Sequence, residues 1–399
     1  MPKIYRFVSL LGFVLLCGSL ATADFTSPAK NLSNSALPSM HPKIAGTDGS
    51  LNVFVVWMEY VSDTEQHLYF AKSTDGGTTW GAPVQLTFGG QIFYVDAPTS
   101  SFSICVNEPY VHIVYNWRST DSDDWEISYY RSADLGETWD LPIYLTANAS
   151  NSVSPDVAAR GSYVHVTYQD NWPGNSEIFY KRLTDNGAGG VDLTRRLTFS
   201  DAPSYVPKIA VSSSGEDVHV VYLDLPGTYW QILYKHIYGS GAGSFETRQL
   251  TFSNSNNDAP DIAVSTGADP QYVYVVYVAS WPGNREIMYK RLDNSGQMPF
   301  NTYTARLTYS TTYSESPAVE FDSLSNNVHI CYFDDWPGNY DVMYRKLGTY
   351  GGGGFTGQRV SWGSGASYYP TVTSAGAWAH IAWMDSTSGN WEIYVKYGN

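Results

Sequence analysis

The chain has 399 residues, enough for one large β domain or two smaller ones. Aromatic residues and charged residues each make up 15%, with 35 Gly and 20 Pro, a balance that favours short strands and tight turns over helices. The formal charge of −15 repels phosphates, which excludes nucleic acid and anionic lipid as natural partners.

Residues 1–23 read as a secretory signal peptide. Lys3 and Arg6 supply a positive start, "FVSLLGFVLLCGSLA" an apolar core, and Ala21-Thr22-Ala23 a small-x-small cleavage site. No later stretch is long and apolar enough to span a bilayer, so no membrane insertion is expected. The expected product is an exported monomer, secreted, periplasmic or held at the cell surface. Removal of Lys3 and Arg6 takes its charge to −17. Cys105 and Cys331 remain, far apart in strand-like runs, and read as two buried thiols rather than a disulfide framework.

From residue 42 onward the chain repeats itself. A proline leads each copy: Pro42, Pro98, Pro155, Pro207, Pro260, Pro317 and Pro370, spaced by 56, 57, 52, 53, 57 and 53 residues. Each copy holds four β signals, of the types "PKIAG", "VHVVY", "EIFYKR" and "RRLTF", rich in β-branched and aromatic residues and bounded by Gly, Asn, Asp or Ser. Helix signals are absent. Four antiparallel strands recurring about every 54 residues mark a β-propeller blade. The fold class is therefore all-β, with residues 24–399 forming one seven-bladed propeller. The seventh copy ends after its third strand, and "SPAKNLSNSALPSMHPKIA" aligns with "ETRQLTFSNSNNDAPDIA". The N-terminal segment is thus expected to supply the missing outer strand, closing the ring and removing a sheet edge.

Two connectors after third strands, "STDGGTTW" and "SADLGETW", fit Ser-x-Asp-x-Gly-x-Thr-Trp. Their residues are Ser73, Asp75, Gly77 and Trp80, then Ser132, Asp134, Gly136 and Trp139. The aspartates suit bonding of turn amides, the glycines positive φ, and the tryptophans packing into the blade core. This pattern resembles the Asp-box (BNR) repeat of sialidase-like β-propellers, specifically in two copies and loosely in the rest. The resemblance implies that the boxes are structural and lie on the face opposite the active site. Sialidases grip the substrate carboxylate with three arginines, the first in an Arg-Ile-Pro motif; this chain has "HPKIAG" there and no Arg-Ile-Pro anywhere. Of its 13 arginines, only Arg118 and Arg285 are off the repeat pattern on the expected functional face.

Candidate binding positions follow from the repeat. "WPGN" recurs three times between second and third strands, so Trp172, Trp281 and Trp336 read first as parts of a structural turn and second as a sugar-stacking rim, with Trp117 nearby. The polar residues opening the third strands, such as Glu126, Glu177 and Glu286, read as structural partners of neighbouring loops rather than paired catalytic acids. Histidines at the "VHV" position fall on different blades, so they read as core residues and not as a metal site. The acidic loop Ser119–Glu126 is the one place where calcium is conceivable, against the plainer reading of a solvated loop; no other cofactor is expected. Two residues before the lead prolines the repeat breaks: Asp96, Tyr205, Asp258, Glu315 and Tyr368 fall where the channel mouth should be and suit a polar ligand. Three functions remain open: a non-catalytic propeller that binds a glycan or an extracellular protein through these loops, a glycoside hydrolase of the exo-α-sialidase-like group, and a structural or assembly protein of the cell envelope.

Overall fold

The computed structural model describes residues 25–89, 91–92, 101–119, 124–172, 174–265, 271–280, 283–293, 303–335, 338–348, 350–352 and 355–398. Seven antiparallel sheets stand among them. Blade 1 is Ser39–Gly46, Val53–Ser62, Glu65–Ser73 and Val84–Gln85, and each later blade repeats this order, from channel to rim. Blade 2 takes in one further short strand, Gln91–Ile92, against its second strand. Second strands are buried almost throughout (Val218–Asp224 entirely), because each blade is packed on both faces by its neighbours. Among the described residues one 3₁₀ turn stands apart from the strands, Asp185–Gly187, where blade 3 keeps a remnant of the box.

Two repeated hydrogen bonds are encoded by the sequence pattern, the first within each blade and the second between neighbouring blades. A hydroxyl past each outer strand accepts the amide near the start of the third strand: Thr87 from Leu68, Thr146 from Ile127, Thr198 from Ile178, Thr251 from Ile232, Thr308 from Ile287, Ser361 from Val342 and Ser33 from Ile393, all at 2.8–2.9 Å. The carbonyl of the residue before a third strand accepts an amide that opens the next blade. These bonds run from Ser152 to Trp125, Ser204 to Ser176, Asn257 to Trp230, Ser314 to Arg285, Ser367 to Tyr340 and, closing the circle, Ser39 to Trp391.

That closure is the one the N-terminal alignment anticipates. Lys30 and Asn31 pair with Val395 and Tyr394, Leu32 is buried between blades 7 and 1, and Ser33 takes the hydroxyl position of the other six blades. One expectation needs correction. In blades 1 and 2 the fourth strands fall where the repeat puts them, at Val84–Gln85 and Ile143–Tyr144, but in blades 3–6 they start earlier than "RRLTF" and its equivalents and end inside them, as Gly190–Arg196, Phe245–Gln249, Tyr303–Arg306 and Phe355–Arg359. The apolar residue that follows (Leu197, Leu250, Leu307, Val360) turns inward as a plug. It therefore carries burial, not ladder pairing, and composition alone does not separate the two.

Both Asp boxes are built alike. Ser73 donates to Asp75 Oδ1 at 2.8 Å and accepts Gly77 N at 2.9 Å, while Asp75 accepts Thr79 N at 2.8 Å and Thr79 Oγ1 at 2.6 Å. Ser132, Asp134, Gly136 and Thr138 repeat the set. These donors hold both aspartates down to about 2. Gly77 and Gly136 both take φ of 79°, and a Cβ on Gly136 would meet Phe70 of blade 1 at 2.5 Å. Trp80 donates from Nε1 to Gly77 O at 3.1 Å, and Trp139 packs edge-on to Phe70 with ring centroids 5.1 Å apart. The boxes thus lock blade seams, as a structural part should.

Candidate functional site at the channel mouth

In six described blades the innermost strand carries a bulge. Met40 opposes Met58 but Lys43 opposes Val56, so three steps on one strand match two on the other. The residue just before the lead proline absorbs the extra step in the left-handed region: His41, Ser154, Val206, Ala259, Ser316 and Tyr369, with φ between 44° and 55°. Val206 is β-branched, for which this conformation is strained. Its amide is held by Gln169 Oε1 at 3.1 Å. The bulge puts the residue two before the proline and the residue one after it on the same side of the strand.

The residues one after the proline line a channel cavity of about 340 Å³ and carry Lys43, Asp156, Lys208 and Asp261; Glu320 joins them from blade 6. Asp156 accepts Ile209 N from blade 4 and Asp261 accepts Val319 N from blade 6, each at 2.9 Å, so these carboxylates staple neighbouring blades. Burial lowers Lys43 to about 8 and, against the pull of Lys208, raises Asp261 to about 6. Burial, with Asp48, Asp261 and Asp322 adding, also pushes Glu320 well above the carboxylate range.

At the mouth, three predicted residues meet. Arg285 reaches Glu315 Oε1 at 2.8 Å through Nε and Asp258 Oδ2 at 3.1 Å through an NH2 nitrogen. Burial raises Glu315, with Asp258 and Asp335 adding and Arg285 opposing. Beside this group stands an aromatic wall. Tyr368 lies 4.9 Å from Tyr340, 5.0 Å from Phe333 and 5.7 Å from Trp391, and Tyr369 lies 4.7 Å from His41. Tyr205 is further round the ring, 5.4 Å from Trp230. Tyr340, Trp391 and Trp230 were not singled out in the sequence. Their common signal is the position before the third strand: "WQ", "YD" and "WE" occupy the place that Arg285 fills in blade 5.

The other predicted residues sit apart from this group. Trp117 donates to Ser128 Oγ at 2.6 Å and packs 5.6 Å from Tyr144, and Arg118 lies 4.9 Å over Trp125, all within blade 2. Trp172 is exposed on the loop between the second and third strands of blade 3. Asp96, Trp281 and Trp336 lie outside the described residues, as do residues 120–123 of the acidic loop and residues 1–23, where a signal peptide is expected.

Repeat chemistry accounts for the third-strand acids and the histidines. Glu177, Glu286 and Asp341 are fully buried and paired with Arg196, Arg306 and Arg359 of their own blades at 2.6–2.8 Å. His112, His165, His219 and His329 each share a hydrogen bond between Nδ1 and a tyrosine hydroxyl, and no cluster of metal-ligating side chains occurs among the described residues. Cys105 and Cys331 are free thiols, and no helix among the described residues is long and apolar enough to cross a membrane.

No family model matches the sequence, and no curated protein matches it. Solved structures do match the fold. A polysaccharide lyase of family PL25, an ulvan lyase bound to -[GlcA(1-4)Rha3S]-, superposes with a TM-score of 0.60 at 10% identity, over 90% of this chain and 93% of its own. The GH93 α-L-arabinofuranosidase of Fusarium graminearum gives 0.51 at 13% identity, over 90% and 92%. The NanB sialidase of Streptococcus pneumoniae gives 0.50 at 10%, over 95% of this chain and 70% of its own. What this chain shares with them is the β-propeller fold, built here of seven blades.

Proposed function

We propose that this chain is an exported, non-catalytic glycan-binding propeller that holds its ligand at the channel mouth. The observation that carries the reading is the state of Arg285. Its guanidinium is committed to Asp258 and Glu315, so it is not free for the fork-to-fork grip that a substrate carboxylate needs. Arg118, the other off-pattern arginine, belongs to blade 2 and lies over Trp125. What the mouth offers instead is the outer faces of those two carboxylates and the half-buried rings of Tyr340, Tyr368 and Trp391. Carboxylates accept hydroxyl protons and aromatic faces stack on sugar rings, a set suited to uncharged polyhydroxylated ligands.

A glycan array against the mature protein tests the reading. Hits on neutral glycans that weaken in Tyr368→Ala and Trp391→Ala support it; hits unchanged in both variants, or binding confined to sialylated glycans, overturn it. N-terminal sequencing of the secreted product should start at Asp24. A second reading, glycoside hydrolysis, draws on Glu315, a carboxyl raised by burial with the Asp258 carboxyl close by, which is the condition for a general acid. Fluorogenic glycosides, sialosides included, separate the two, since turnover above blank that Glu315→Gln removes would make the protein an enzyme.

A further inference from the structure

Just past the outer strand, five blades display an open aromatic ring: Phe88, Phe199, Phe252, Tyr309 and Trp362, each 68–79% exposed. Arg196, Arg306 and Arg359 lie 4.5–4.6 Å under three of them. Blade 2 has Ala147 at this position. Beside Ala147, the seam between blades 2 and 3 opens into a cavity of about 220 Å³. Its lining includes Leu145, Tyr168, Phe179, Lys181, Thr194 and Trp172, the last being 68% exposed.

The lining has the composition of a sugar site. Tyr168 and Phe179 stack at 5.7 Å as an apolar wall. Lys181 donates to Thr194 Oγ1 at 2.9 Å, and an ammonium has three donors, so two remain for a ligand. Burial lowers the Lys181 pKa, with Asp170 opposing. Asp170 itself is occupied: Oδ1 accepts Ser150 Oγ and Trp172 N at 2.8 and 2.7 Å, and Oδ2 accepts Ser152 Oγ and Asn148 Nδ2 at 2.8 and 3.0 Å. These bonds fix the base of the Trp172 loop, and Asp170 offsets the charge of Lys181 locally. The cavity is smaller than the roughly 300 Å³ at which sites for drug-sized ligands begin, which limits it to about one ring.

We propose that the blade 2–blade 3 seam is a second saccharide subsite, which takes one uncharged pyranose ring against Trp172 with Lys181 and Thr194 bonding its hydroxyls. The inference rests on the glycan-binding reading but uses none of the mouth residues. The test is saturation-transfer NMR with a panel of neutral methyl pyranosides and one methyl uronide, on the full mature chain. Four variants are compared: Trp172→Ala, Lys181→Met, Ala147→Phe and, for the mouth, Tyr368→Ala. Ala147→Phe installs the ring that five other blades carry, so it should fold normally, as thermal melts will check. At least a tenfold loss of neutral-pyranoside binding in Trp172→Ala and Ala147→Phe, with Tyr368→Ala keeping that component, is expected. Binding that Tyr368→Ala abolishes and Ala147→Phe leaves intact overturns the seam while sparing the mouth. No binding of any pyranoside overturns both, and tighter binding of the uronide than of its neutral counterpart overturns the uncharged assignment.

Discussion

The buried histidines make the propeller acid-sensitive in a window that can be calculated. His165 is fully buried, its Nδ1 is 2.7 Å from Tyr180 OH, and Nε2 has no hydrogen-bond partner. Burial, reinforced by Arg182, holds its pKa at about 3 against an unfolded value of 6.5. The folded state therefore refuses a proton that the unfolded state accepts, so stability is complete above about pH 6.5 and is lost as pH falls from there toward 3. Between pH 7 and pH 5 this difference amounts to about 2 kcal/mol for one such histidine, from the 1.36 kcal/mol that each pKa unit represents. Blade 1 supplies a replacement, since Phe54 and Phe70 occupy the His–Tyr positions with ring centroids 6.0 Å apart. The double variant His165→Phe/Tyr180→Phe avoids leaving the hydroxyl unpaired. Urea titrations followed by tryptophan fluorescence at pH 7 and pH 5 should show its stability falling between the two pH values by about 2 kcal/mol less than the parent's. Equal losses in the two proteins, or an imidazole NMR signal showing His165 charged at pH 5, would refute the reasoning. His112 and His219, held near 3 in the same way, should behave alike.

Ring closure gives a second expectation: Leu32→Ala should cost about 2–5 kcal/mol, the usual range for a buried leucine, and Ser33→Ala about 1–3 kcal/mol for the Ile393 amide left unpaired. Both are read by denaturant midpoint, and both would be misplaced if the melting behaviour stayed at the parental value. Asp134→Ala should lower the melting temperature and leave glycan binding unchanged, because its bonds are confined to the box; a binding loss in a folded protein would contradict the structural role. Arg285→Gln removes the charge that opposes Asp258 and Glu315, so Glu315 should move further up and its infrared carboxylate band should titrate at higher pH. An unchanged titration would mean that the ion pairs do not form in solution.

Much of the fold is written locally. The prolines mark the blades because proline fixes φ just after the left-handed residue of each bulge. "NLSN" announces closure because an aliphatic plug, leucine in all blades but the sixth, and a hydroxyl cap recur past every outer strand, and "VHV" histidines meet a tyrosine one strand away. In blades 3–6 the fourth strands start earlier than the apolar run suggests, because a plug and a strand share the same apolar composition, and only backbone pairing separates them.

The mouth is a different case. Asp258, Glu315 and Tyr368 were visible as breaks in the repeat, but their company was not. Arg285 joins Asp258 from 27 positions away in its own blade and Glu315 from the next blade. The bulge also shifts strand parity by one, so that Lys43, Asp156, Lys208 and Asp261 share a strand face with the residues two before the proline, which strict alternation would deny. Periodicity along the chain thus determined how many blades there are and what each is made of, since these depend on contacts within about 54 residues, and it placed the closure between Lys30 and Val395 because one repeat unit is split between those two segments. Which side chains meet at the mouth and at the blade 2–blade 3 seam was decided by the radial packing, because neighbours there are set by the angle between sheets and not by distance along the chain.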